Sequence, residues 1–108
     1  MAIFDDFLNA LKDGLKQLVA DTVQDFTQAA TKDGRAFLDK ARADLERWTS
    51  ALAHGHLSKD DFAFLVKGKK DLAEMEALKQ AGLALVRLDQ FRSSLIDLVV
   101  GTAFKVFL

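Results

Sequence analysis

Proline is absent from all 108 residues, while leucine and alanine fill 17 and 16 of them. Leucine and alanine lead the helix-propensity scale and proline is its worst member. The apolar side chains also recur in steps of three and four. In the first segment they are Phe4, Phe7 and Leu8, Leu11, Leu15, Leu18 and Val19, Phe26, then Ala29 and Ala30. That spacing places them on one helical stripe. It predicts a first helix over 3–31, with Asp5 and Asp6 in a first turn where carboxylates suit the helix dipole. Gly14 weakens such a helix by ~1 kcal/mol relative to alanine without ending it.

Thr31-Lys32-Asp33-Gly34 reads as the first break, because Gly34 suits a helix C-terminus or a tight turn. A second helix then carries Phe37, Leu38, Ala41, Leu45, Trp48 and Leu52 and ends near Ala53. Its other face bears Arg35, Asp39, Lys40, Arg42, Glu46 and Arg47, which supply oppositely charged pairs four residues apart. His54-Gly55-His56 is the second break. Ser58 reads as the N-cap of a third helix, with Asp60 and Asp61 in the first turn and Leu57 placed to pack on Phe62. This helix runs through Leu65, Val66, Leu72, Met75 and Leu78 to Ala81-Gly82, with Gly68 marking a kink or a separate short helix. The last helix begins at Leu83, or at Asp89 as an N-cap, and continues to Leu108. Gln90, Ser94, Asp97, Gly101 and Lys105 fall on one narrow stripe of it, leaving most of its circumference apolar.

Breaks at 32–34, 54–57 and 81–88 leave connections short enough for antiparallel neighbours. The expected fold is all-α, one domain over 1–108, an antiparallel bundle of about four helices. A long helical hairpin that dimerises is the competing architecture.

Composition narrows the function. Half the residues are hydrophobic, 29% are charged, and the net charge is −1. That apolar content excludes a disordered chain. The charge supplies no general attraction to nucleic acid, which is not an expected partner. With no cysteine there are no disulfides, thiolate metal sites or cysteine nucleophiles. A cytoplasmic protein, or one peripheral to a membrane, is expected. The opening Met-Ala-Ile-Phe-Asp-Asp lacks the basic region of a secretory signal.

Little catalytic chemistry is on offer. His54 and His56 flank a glycine in a loop, so they define no ligand geometry with Asp60 and Asp61 and read as a solvated turn. Lys67, Lys69 and Lys70 are followed at once by Asp71, Glu74 and Glu76 and read as a solvated helix face. Neither histidine completes a Glu-x-x-His pair. There is no Gly-x-Ser-x-Gly elbow and no glycine-rich phosphate loop. No catalytic residue, cofactor or metal is expected, and the protein is not expected to be an enzyme.

What remains is a surplus of apolar side chains. The nine phenylalanines are spread along the chain, and Phe62 and Phe64 lie ~200° apart on a helix, so they cannot share a face. A folded protein of 11.9 kDa exposes roughly 6,000 Å², which makes hiding every apolar group in one small bundle difficult. The expectation is a small non-catalytic protein that acts by self-association, as a dimer or higher homo-oligomer, or by binding a protein partner. Leu95, Leu98, Val99, Phe104, Val106, Phe107 and Leu108 are its expected interface. The alternative is association with a membrane surface. As a helix, 95–108 spans only ~21 Å against a hydrocarbon core of ~30 Å, so it would lie in the interface.

Overall fold

The structure is a computed structural model that describes residues 2–108. The elements are α1 (Ala2–Thr22), α2 (Thr27–Ala53), α3 (Lys59–Lys67), α4 (Glu76–Gln80) and α5 (Leu85–Phe107). Single 3₁₀ turns occupy Gln24–Phe26 and Lys70–Leu72. Among the described residues there is no strand. Side-chain contacts fix the direction of each helix. Phe7 meets Phe107, Leu98 approaches Gly14, and Arg87 reaches Thr22, so α1 and α5 are antiparallel. Leu15 against Gly34 and Arg42 over Phe4 make α1 and α2 antiparallel. The stretch from α3 to α4 runs back along α2 through Lys69–Asp44 and Lys40–Glu74. It meets α5 through Phe62–Phe104 and Lys70–Ser93. The result is the expected all-α, up-down-up-down bundle, 42 × 24 × 20 Å, with α3, a 3₁₀ turn and α4 sharing its third side. The dimerising hairpin is not the fold.

The first corner differs from the expected break at Gly34. α1 stops at Thr22, and α2 starts at Thr27 and continues through 31–34 without interruption. Val23 is buried and leaves the helical region at φ −138°. The Thr22 hydroxyl donates back to the Leu18 carbonyl, and that of Thr27 to Gln24. Arg87 clamps the corner from α5 by donating to the Thr22 carbonyl and both Asp25 carboxylate oxygens. No glycine marks this turn, because the chain makes it with ordinary φ values and a tertiary clamp.

Gly34 serves a different purpose. It is buried mid-helix, and a Cβ there would lie 2.6 Å from Leu15 Cδ1. The missing side chain lets Leu15 sit directly on the α2 backbone. Gly14 does the same for α5, where a Cβ would lie 2.6 Å from Leu98 Cδ1. These glycines set how closely α1 packs against both neighbours, which explains their place inside helices despite the propensity cost.

The third side starts as expected. The Ser58 hydroxyl accepts from the Asp61 N–H at 3.1 Å, and Asp60 and Asp61 lie in the first turn. Phe62 is buried and Phe64 faces out, 77% exposed. The helix then ends at Lys67, where Gly68 caps it, so the expected break at Gly68 is present and a separate short helix follows in place of one continuous helix to Ala81-Gly82. α4 follows Met75, which adopts left-handed φ 59°, ψ 38°. Asp33, buried on α2, caps α4 from outside: its carboxylate accepts from Ala77 N–H at 3.0 Å and Leu78 N–H at 2.8 Å.

α5 begins at Leu85, after an extended Ala84, and not at an Asp89 cap. Asp89 instead accepts from Arg92 at 2.7 Å. α5 packs on α1, α2 and α3, which accounts for its apolar circumference. Its outward stripe is Gln90, Ser93, Asp97, Gly101 and Lys105, with Ser94 half-buried. The accessible surface is 6322 Å², close to the value expected for a compact chain of this mass. The apolar surplus therefore goes chiefly into the protein's own core.

Three carboxylates are held below their ordinary range. Hydrogen bonding by Arg87 does this to Asp25, by Lys69 to Asp44, and by Lys40 to Glu74. A depressed folded-state value contributes stability above the ordinary carboxylate range, which is lost as pH falls through the depressed value. The combined variant Asp25→Asn, Asp44→Asn, Glu74→Gln should therefore show a smaller drop in melting temperature between about pH 6 and about pH 3 than the parent. Asp25 and Glu74 are exposed and Asp44 is half-buried, so the difference should shrink in high salt.

The glycines make a second test. Gly34→Val should cost ~1–3 kcal/mol in a denaturant melt, because Leu15 is buried and has no room to withdraw. Gly101→Ala should instead add roughly 0.5–1 kcal/mol, since a Cβ there meets nothing within 4 Å and the backbone is helical.

Candidate functional site

Among the described residues, five large apolar side chains remain exposed: Ile3 at 51%, Phe64 at 77%, Leu85 at 71%, Val86 at 70% and Leu108 at 61%. Leu85 and Val86 lie at one end of the bundle and Phe64 on its flank. Ile3 and Leu108 fall together at the other end, because antiparallel α1 and α5 bring the start of one beside the finish of the other.

That end holds a groove of about 290 Å³ lined by Ile3, Phe4, Phe107 and the last turns of α2. α2 presents Glu46, Thr49, Ser50 and Ala53 to it, the spacing of one helical stripe. Three of these are small, so the α2 wall is low. The opposite wall is aromatic. Phe4 packs against Phe7 at 5.8 Å, and Phe7 meets Phe107 nearly edge-on at 5.4 Å. The Arg42 guanidinium sits 5.9 Å over the Phe4 ring. The floor offers little hydrogen bonding, since Thr49 is buried and its hydroxyl donates to the Leu45 carbonyl at 2.7 Å. The polar edge is Glu46 and His54. His54 Nδ1 lies 2.7 Å from the Ser50 carbonyl, which only accepts, so Nδ1 carries the proton and Nε2 is left free of that bond.

The expected interface residues divide into three groups. Leu95 and Val99 are buried in the core and present no surface to a partner. Leu98 packs over Gly14, Phe104 lies 6.0 Å from Phe62 with Lys59 5.5 Å above its ring, and Val106 is half-buried. Only Phe107, half-buried, lines the groove, and Leu108, exposed, follows it at the end of α5. Ile3 and the α2 stripe escaped the sequence reading. A stripe of Thr, Ser and Ala carries no apolar signal, and the groove exists only where α1 and α5 terminate against α2.

The polar clusters are dispersed. Lys69 pairs with Asp44 at 2.8 Å and lies over Trp48, while Lys70 donates to Ser93. Lys67 faces a separate shallow depression with Lys70, Ser93 and Asp97. His54 and His56 stack at 6.0 Å, but among the described residues no three His, Cys, Asp or Glu side chains gather as metal ligands. No described helix is long and apolar enough to cross a membrane. No protein-family model, curated protein or solved structure matches the chain.

The C-terminal residues close one wall of the groove and also hold the bundle together. Deleting 104–108 removes the Phe104–Phe62 and Phe107–Phe7 contacts and should cost ~2–4 kcal/mol in a denaturant melt, more than fraying of a free end would allow.

Proposed function

We propose that the protein is a non-catalytic helical module that works by self-association through its end groove. A second copy seats Ile3 and Leu108 there, and receives the same two side chains in return. The observation that carries this reading is the pairing of a low, largely apolar groove with exposed Ile3 in its lining and exposed Leu108 next to Phe107, which lines it. A two-fold contact of this kind is self-complementary. The charges around it suit a second copy better than a lipid surface. Exposed Asp5, Asp6 and Glu46 accompany exposed Arg42 and Lys105 in the helix segments nearest this end, so it carries charges of both signs that a second copy can match. An anionic membrane would meet the acids directly.

The end section measures only 24 × 20 Å, so the contact falls at the small end of specific interfaces, below about 1,200 Å² in total. The dimer is therefore concentration-dependent. Light scattering after gel filtration should show mass rising from one chain toward two between about 10 µM and about 1 mM. Ile3→Glu with Leu108→Glu should hold the protein at one chain with an unchanged melt, since both side chains are exposed. A wild-type mass that stays at 11.9 kDa throughout overturns the proposal. Sedimentation of that monomer with neutral vesicles would transfer the groove to the membrane-surface alternative.

A further inference from the structure

Three sides of the bundle are unbroken helices of 21, 27 and 23 residues, and the remaining one is assembled from pieces of nine, three and five. We infer that residues 69–83 form a detachable strap that opens as a unit while α1, α2 and α5 stay folded, with Asp33 as its latch. Several independent features converge on this segment. α4 has five residues, far too few to be helical by itself. It has no cap of its own, because Met75 precedes it in a left-handed conformation that side-chain-bearing residues seldom adopt. Its first N–H groups depend on a carboxylate 44 and 45 residues away.

The other polar ties are also borrowed from neighbours. Arg92 Nε donates to the Ala73 carbonyl at 2.8 Å, Lys40 pairs with Glu74, and Lys69 pairs with Asp44. The apolar anchors are Ala73, Met75, Leu78 and Leu83. By contrast α1 alone buries Phe4, Phe7, Leu11, Leu15 and Val19. Each end of the strap has a natural pivot: Gly68, which caps α3, and Gly82, at φ +90° with nothing near its Cβ position. Regions with few buried anchors and borrowed polar ties are those that open below the global unfolding free energy.

Opening would expose the faces of α2 and α5 that the strap covers, and the sulfur of Met75, a residue only 2% exposed when closed. That sulfur supplies a second readout, because the chain holds only Met75 and Met1.

Native-state hydrogen exchange on the full chain tests the inference. The amides of Leu78, Lys79, Ala81 and Leu83 should share one opening equilibrium, about a hundredfold more populated than that of core amides in α1 and α5. Asp33→Ala should raise exchange of the strap amides by a further tenfold or so and leave the ratio among α1 and α5 amides unchanged. Asp33→Asn keeps one acceptor oxygen and should fall between. Peroxide should convert Met75 to its sulfoxide faster in the same order, measured by peptide mass. If strap and core amides exchange with one common free energy in the parent, the bundle is a single cooperative unit and the inference fails. If Asp33→Ala fails to fold, Asp33→Asn still decides the matter: equal loss of protection in strap and core overturns the latch.

Discussion

The Asp33 carboxylate accepts two backbone N–H groups from a helix that begins more than forty residues later. A buried carboxylate needs partners, and so do the leading amides of a helix that lacks a cap. Each supplies what the other lacks. The bond ties the second turn of the longest helix to the weakest side of the bundle and lets the third side break at Met75 with the Ala77 and Leu78 amides satisfied. With that break accommodated, the chain can pass from α3 to α5 along a single path and close four sides around one core. Arg92 and Lys40 add to the same seam by holding Ala73 and Glu74.

The adjacent face of α2 at this level shows a complementary economy. Gly34 follows Asp33 directly, and Leu15 of α1 rests where its side chain would be. One dipeptide thus serves two neighbours, admitting α1 on one face and capping α4 on another. α1 uses Gly14 in the same manner toward α5. Close approach at these crossings allows Phe7, Phe37, Phe62 and Phe91 to be fully buried in a chain of this size.

That efficiency moves the question of function away from bulk hydrophobicity. Most of the apolar surplus packs inside, and the surface left over is small and local. Its most coherent part is the end where both terminal helices stop short against the last turns of α2. The proposed association there would depend on shape and on a few side chains, with α1, α2 and α5 as the support. The proposed strap lies on a different side of the bundle and rests on borrowed polar ties, so the proposed opening there is separate in space from the proposed association at the end groove.

The helical class, the bundle architecture, the Ser58 cap, the opposed faces of Phe62 and Phe64 and the outward stripe of α5 were legible in the residues. All follow from local physics: propensity, periodicity and a hydroxyl within reach of nearby amides. The misplaced features have a common cause. Asp33-Gly34 resembles a turn because carboxylates and glycines favour turns locally, yet both residues are used by distant helices. The true corner at Val23 carries no glycine or proline, and an arginine from α5 holds it through Asp25. Leu95 and Val99 looked like interface because an apolar helix can face either a partner or its own core, and periodicity does not distinguish the two. Which helix lies in the middle, which carboxylate caps which amides and where a groove is left open depend on contacts between residues tens of positions apart. Those contacts exist only after the chain has closed on itself, so the tertiary structure alone decided them.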